Sequence, residues 1–469
     1  MVGLVVPLAR AGAQLPADTG APRPNVIVIL TDDQRFDTVD LTHSRDGVTP
    51  VMPNVTRLAA EGVTFRNSFT TTALCGPSRA SLLSGRYAHS TGVKDNHGPD
   101  ALPAFDASST LAVWLHDAGY TTGLFGKYIN GYQDTRLGTP PGWDEWHAFK
   151  KARYFDYTLA ENGSEVRYGR SEADYSTDVL AAKAVHFVRE HAGGRPFFLY
   201  FAPFAPHVPA IPAPRHAGTF AEVAPWRPPN FDEADVSDKP AWVQDIDPWS
   251  PARIDEKDRF ARRQLECLQA VDEAVGAIMQ AVRDAGVERD TIVVFASDNG
   301  LAWGAHRWEP KECPYNECMR VPLVVRYPAL APAARVDDRI ALNIDYAPTI
   351  AELAGAVPGA GVEGTSLVPV LRGTASMWRT DFLEEHWGGK IPTFAQVHGI
   401  PWVYTEYVTT ETELYDEHAD PFELGNVAAD PTRAALVTQM AARLRALRPD
   451  WPVTPPAQPV PASLTRPNA

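Results

Sequence analysis

Apolar positions along the chain form two kinds of run. Asn25-Val26-Ile27-Val28-Ile29-Leu30, Phe197 to Phe201 and Thr291-Ile292-Val293-Val294-Phe295 are continuous and mostly β-branched or aromatic. That is the pattern of strands covered on both faces. Between them apolar residues recur three and four apart, most clearly at Phe260, Leu268, Val271, Val275, Ile278 and Val282, which predicts a helix that stops at Gly286. Buried strands alternating with amphipathic helices predict an α/β sandwich with a large, mostly parallel central sheet flanked by helices. Past Gly355 the runs shorten and mix, as in Trp402-Val403-Tyr404 and Glu413-Leu414-Tyr415-Asp416, and a last helix spans Ala434 to Leu447. The chain therefore divides into a tail at 1–23, a main domain at 24–355, a smaller C-terminal α+β subdomain at 356–450 and a proline-rich tail at 451–469. Pro203 to Pro251 is rich in Pro and Trp and has no period, so it reads as a long ordered excursion and a candidate lid.

Composition narrows the function. Of 469 residues 44% are hydrophobic, enough for a sizeable core, which excludes a disordered chain. The formal charge of −15 argues against a nucleic-acid scaffold, whose affinity comes from clustered Lys and Arg. No apolar run reaches 18 residues, so no membrane-spanning helix is expected. Four cysteines are too few for a disulfide framework; Cys313 and Cys318 either pair or stay reduced with Cys267. Val2 to Leu8 is apolar and precedes Ala11-Gly12-Ala13, but no basic residue stands before it. Two readings stay open: a clipped secretion signal of a secreted or periplasmic protein, or a frayed tail of a cytoplasmic one. Asn162-Gly163-Ser164 fits a glycosylation triplet, a pattern common by chance. Nothing in the pattern sets an oligomeric state.

Polar residues at the carboxyl ends of parallel strands converge on one crevice. Here the first strand ends at Asp32-Asp33, the second runs into Ala205-Pro206-His207 and the third ends at Asp298-Asn299. Asp32, Asp33, Asp298 and Asn299 offer oxygen ligands only, which suit a hard divalent cation and calcium better than zinc. Turn chemistry also puts Asp and Asn after strands, but two such pairs at two buried strand ends favour the metal. In Cys75-Gly76-Pro77-Ser78-Arg79 the proline sits just inside a helix start, so Cys75 lies where free N–H groups and the helix dipole favour an anion. Arg79 is one turn on and within reach of residue 75. Lys127 follows a short strand and Lys311 follows the loop after Asn299; with nine lysines in the chain, neither belongs to a solvated charge run.

Cys75-x-Pro77-Ser78-Arg79 followed by Leu83-x-Gly85-Arg86 resembles the signature of the type I sulfatases, and the resemblance covers about Pro24 to Pro328. It implies an alkaline-phosphatase-like sandwich and a sulfuric ester hydrolase. It further implies that a formylglycine-generating enzyme oxidises Cys75 to formylglycine, whose hydrate attacks sulfur in line through a covalent sulfoenzyme. One Ca2+ would be held by Asp32, Asp33, Asp298, Asn299 and residue 75. Arg79, Lys127, Lys311 and His207 would ring the sulfate, with His207 as acid for the leaving alcohol. Phe125 to Tyr132 and Pro140 to Trp146 are similar to the N-acetylglucosamine-6-sulfatase and heparan endosulfatase branch, which implies a sulfated carbohydrate such as a glucosamine 6-sulfate. Two departures stand out: Gly126-Lys127-Tyr128-Ile129-Asn130 stands where many sulfatases have Gly-Lys-x-His, and Leu301-Ala302 replaces Tyr-His, leaving His306 in Gly304-Ala305-His306 as a substitute. Trp226, Trp242, Trp249 and Trp303 either stack on sugar rings or belong to the core. The competing readings are a phosphonate monoester or phosphodiester hydrolase on the same fold and a non-catalytic sulfated-glycan binding protein.

Overall fold

The strand Asn25–Thr31 is buried along its whole length. It pairs in parallel with Phe197–Ala202 on one side and Thr291–Ser297 on the other. Successive side chains of a strand point to opposite faces, and both faces are covered. Val26, Val28 and Leu30 enter a core shared with the helices Cys75–Ser84, Leu111–Asp117 and Tyr346–Ala354. Ile27 and Ile29 enter a second core with Pro53–Ala60, Ser176–His191 and Pro251–Asp284. This is why the strand reads as an unbroken apolar run. The computed structural model describes residues 23–134, 137–331 and 334–452; of the expected tails at 1–23 and 451–469, residues 1–22 and 453–469 lie outside the described residues, while Trp451 is buried in the C-terminal core.

Thr121–Gly126 adds a further parallel strand beside Phe197–Ala202. Among the described residues the sheet has ten strands. One edge is Glu145–Lys151 followed by the antiparallel pair Tyr157–Glu161 and Ser164–Tyr168. The other is antiparallel Leu323–Arg326, then Val63–Phe65 and Arg335–Asp337. Asn162 and Gly163 both have positive φ and join the two strands of the hairpin, the geometry of a two-residue type I′ turn. The Asn162 carboxamide oxygen accepts from the Trp146 amide at 2.7 Å, so this triplet serves a turn.

The long helix begins at Pro251, nine residues before the first periodic apolar position, with Ser250 capping the Arg253 amide. Its first turns are polar and carry no periodic signal. The excursion before it is held down by buried Phe220, Val236, Trp242 and Trp249. Trp242 packs edge-on against Trp308. Trp303 is buried as well and donates to Gln264, while Trp226 is half-buried against His43. These indoles are mainly core.

Asp381–His386, Phe394–Gly399, Trp402–Tyr407 and Thr412–Asp416 form a four-stranded antiparallel sheet. The helix Ala434–Leu447 lays Met440 and Leu444 on Leu383, Val397 and Leu414, giving the small α+β unit its own core. Cys313 and Cys318 form a disulfide, while Cys75 and Cys267 are free and buried. No helix among the described residues is long and apolar enough to cross a membrane.

Candidate active site

The carboxyl ends of four parallel strands deliver most of the polar residues singled out in the sequence. Asp32 and Asp33 leave the central strand, Asp298 and Asn299 leave its neighbour, Lys127 leaves Thr121–Gly126 and His207 follows Phe197–Ala202. Two local devices lock these ends together. Asp33 adopts φ +64, and its amide donates to Asp298 Oδ1 at 3.1 Å, so the two acidic ends share a hydrogen bond. Gly126 lies so close to the neighbouring strand that a Cβ would stand 1.9 Å from the Ala202 carbonyl oxygen, and the next amide, of Lys127, donates to that oxygen. A side chain at 126 would push Lys127 out of place.

Cys75 is the first residue of the helix Cys75–Ser84 and is fully buried. Its Sγ lies 3.3 Å from Asp32 Oδ1 and 3.8 Å from Asp33 Oδ1. Lys311 Nζ stands 2.6 Å from Cys75 Sγ and 2.5 Å from Asp33 Oδ1. Lys127 Nζ donates to Asp32 Oδ2 at 2.7 Å. His207 Nε2 lies 3.6 Å from Asp33 Oδ2, while its Nδ1 faces the Val208 carbonyl at 2.7 Å. That carbonyl can only accept, so Nδ1 carries a proton and Nε2 is the nitrogen turned toward the site.

Arg79 departs from the expected contact with residue 75. Its Nε donates to Asp298 Oδ2 at 2.8 Å and its Nη1 to the Lys127 carbonyl at 2.9 Å. Buried completely, it anchors the carboxylates from behind. His306 is not brought into this group. Positive φ at Trp303, Gly304, His306 and Arg307 turns the loop inward, and the imidazole is fully buried against Glu233 and Tyr315.

Burial alone would raise the pKa of Asp32, but Lys127, His207 and Arg79 outweigh it and hold the carboxyl well below its ordinary range. Asp33 is likewise lowered, with Lys311 and then His207 overcoming burial. Burial opposes the charge on Lys127 and Lys311 too, and Asp32 and Asp33 respectively more than restore it. The Cys75 thiol is pushed far up, by burial first and then by Asp298 and Asp32. A thiol held protonated is a poor nucleophile.

Atoms of Asp32, Asp33, Cys75 and His207 lie within 4.8 Å of one another, close enough to hold one ion. Beside these carboxylates, where its Nδ2 donates to Asp33 Oδ1 at 2.8 Å, Asn299 has its Oδ1 buried with no hydrogen-bond partner. An orphaned carbonyl oxygen among carboxylates fits a hard cation such as Ca2+.

Neighbouring residues that no sequence pattern marked complete the surroundings. Asn96 accepts from the Gly76 amide at 2.7 Å, capping the helix that carries Cys75. Glu312 adjoins Lys311, and burial pushes its carboxyl up to about 7 despite that lysine. Asn96 sits in an ordinary turn sequence and Glu312 is a lone acid, so neither carried a signal.

A family model described as sulfatase matches residues 24–356. The chain belongs to the sulfatase family. Members are sulfuric ester hydrolases, and this sulfatase shares their alkaline-phosphatase-like architecture. A second model, for the C-terminal region of N-sulphoglucosamine sulphohydrolase, matches residues 304–450. The N-acetylglucosamine-6-O-sulfatase of Bacteroides thetaiotaomicron is 29% identical over 505 aligned residues, covering 90% of this chain and 86% of its own. The extracellular sulfatase SULF-1 homolog of Drosophila melanogaster is 32% identical over 380 residues, 78% of this chain; the match spans 33% of that protein's length. Among solved structures, one in complex with its substrate D-glucosamine-2-N,6-O-disulfate superposes with a TM-score of 0.78 at 26% identity, covering 90% of this chain and 97% of its own. The phosphonate monoester hydrolase of Agrobacterium radiobacter, at 23% identity and a TM-score of 0.74 over 91% and 96% of the two chains, shares the fold.

Proposed function

We propose that this sulfatase hydrolyses sulfate esters of a carbohydrate of the glucosamine 6-sulfate kind, with residue 75 acting as formylglycine. The observation that carries the reading is the position of Cys75, with its Sγ between the carboxylates of Asp32 and Asp33 and the Lys311 ammonium. As a hydrated aldehyde, formylglycine supplies one hydroxyl for in-line attack on sulfur and a second whose deprotonation expels sulfate without an attacking water. Asp32, Asp33, Asp298 and Asn299 would hold Ca2+, which would supply positive charge to stabilise the reacting sulfate.

The residues of the chain supply the rest. Asp32, Asp33 and Asp298 carry three negative charges, and Arg79, Lys127 and Lys311 carry three positive ones. A divalent ion would leave the site with an excess of two positive charges. A sulfate monoester brings one negative charge and an ionised nucleophile a second, so the substrate state is the balanced one. Lys127 and Lys311, each nine-tenths buried with Nζ at the carboxylates, would hold the non-bridging oxygens as charge builds on them. His207, with its side chain 23% exposed, lies at the mouth, where Nε2 can protonate the departing alcohol. Arg79 acts through Asp298, as a positioning residue. The glucosamine 6-sulfate preference rests on the curated relative and on the substrate complex of the solved neighbour.

Intact mass after co-expression with a formylglycine-generating enzyme tests the nucleophile: conversion of Cys75 lowers the mass by about 18 Da, SH2 being replaced by O. Sulfate release from a panel of sulfated monosaccharides and glycan fragments, set beside an aryl phosphodiester, tests the substrate. Unconverted, fully active protein would overturn the nucleophile. A preference for the phosphodiester would overturn the substrate class.

A further inference from the structure

A second cluster of ligating side chains lies where the loop carrying His306, the short helix Asn316–Met319 and the C-terminal subdomain meet. His306, Glu317 and Glu423 are all buried, and one ligand atom of each lies within 4.8 Å of the others. His306 Nδ1 is paired with Glu233 Oε2 at 2.6 Å, and Glu233 in turn lies 3.5 Å from Lys239 Nζ. A carboxylate behind one ring nitrogen fixes the tautomer and leaves Nε2 as a lone-pair donor, the usual support of a metal-bound histidine. Nε2 points at the amide of Asn230, which is fully buried.

That amide is the independent observation. Asn230 Nδ2 reaches His306 Nε2 at 3.3 Å, Glu317 Oε1 at 2.9 Å and the Phe422 carbonyl at 3.3 Å, while its Oδ1 has no partner. Glu317 Oε2 is also buried without a partner. Among the described residues neither Glu317 nor Glu423 forms an ion pair; Glu423 Oε2 accepts only the Asn316 amide, at 3.0 Å. Turning the Asn230 amide by 180° puts an oxygen where the NH2 now stands and converts the cluster into one nitrogen and three oxygen donors. Lys239 lies beside both Glu233 and Asp238, so among the described residues no cation pairs with Glu317 or Glu423 in the dry interior.

We propose that His306, Glu317, Glu423 and the Asn230 amide oxygen form a second, structural site for a divalent ion of the Zn2+ class, fastening the C-terminal subdomain to the main domain. Ligand atoms about 2.0–2.2 Å from a tetrahedral ion lie about 3.3–3.6 Å apart, so the set has to close by up to about 1.5 Å, within reach of side-chain rotation. An imidazole among carboxylates favours such an ion over calcium. Glu423 comes from the C-terminal region, whereas His306 and Glu317 flank Lys311, so the ion would tie the lysine's loop to the second domain.

The full-length protein, stripped with chelator and saturated with Ca2+, is titrated with Zn2+ in a calorimeter. Wild type takes up one tight equivalent; Glu317→Gln/Glu423→Gln loses it, whereas Asp32→Asn, altered in the other site, keeps it. A wild type with no zinc equivalent, or a double variant that retains one, overturns the proposal. Should the double variant fail to fold, anomalous diffraction at the zinc edge from soaked wild-type crystals decides: a peak between His306, Glu317 and Glu423 is expected, and its absence overturns the site.

Discussion

At the scale of single residues, the two lysines and His207 divide the work by depth. Lys311 reaches both residue 75 and Asp33, so truncating it removes a cation from the point where charge develops. Lys311→Ala is expected to lower kcat by about 10²–10³-fold with calcium content unchanged, measured by steady-state sulfate release beside metal analysis. His207 serves the leaving group, which gives a sharper signature. His207→Gln should slow a sugar sulfate by about 10²–10⁴-fold and an aryl sulfate with an acidic phenol far less, because that phenolate departs without a proton. Equal losses on both substrates would remove His207 from that role. Cys75, Asp32, Asp33, Asp298, Asn299 and Lys127 were legible as residues at strand ends or a helix start, whereas Lys311 comes from a loop and stood out only through the scarcity of lysine. His306 was offered on a Gly-x-His resemblance, and such a match does not reveal which way a loop turns; here the run of positive φ turns it inward, away from Cys75. Arg79 was assigned its neighbour by helical spacing, but a buried guanidinium takes the carboxylate that offers charge, here Asp298.

At the scale of elements, what could be read depended on how each strand is covered. Strands buried on both faces leave a continuous apolar run, and those at Asn25, Phe197 and Thr291 were found from it. The edge hairpin Tyr157–Tyr168 has one exposed strand of mixed residues and left no such trace. The helix Ala434–Leu447 was visible to its ends, since its apolar stripe covers a small sheet. That sheet carries an electrostatic device of its own. Burial would lower the pKa of His398, but Glu417 and Glu384 overcome it and hold the imidazole up to about 10. A histidine raised from 6.5 contributes its full stability below that value and loses it as pH rises through the folded value. The thermal midpoint should therefore fall between pH 7 and pH 10, and His398→Gln should flatten that fall. An unchanged slope in the variant would contradict this.

At the scale of the whole molecule, the charged crevice is built from distant parts of the main domain, so the binding energy of the proposed ion would become folding energy. Three carboxylates converge there from two strand ends, so an ion bound to the folded chain alone raises stability by about 2.7 kcal/mol at a hundredfold excess over its Kd. Chelation is expected to lower the thermal midpoint, added calcium to raise it again, and Asp298→Asn to abolish that calcium-dependent rise, all read by calorimetric scans. The acidic net charge gave no hint of an anionic substrate, because local cations in a dry cleft outweigh the distant surface.

The most direct measurement follows inorganic sulfate released from glucosamine 6-sulfate by the matured wild type and by Cys75→Ala at equal calcium content. The account predicts many turnovers per wild-type molecule and none from the variant above the uncatalysed rate. Turnover by Cys75→Ala at a rate near that of wild type would contradict it.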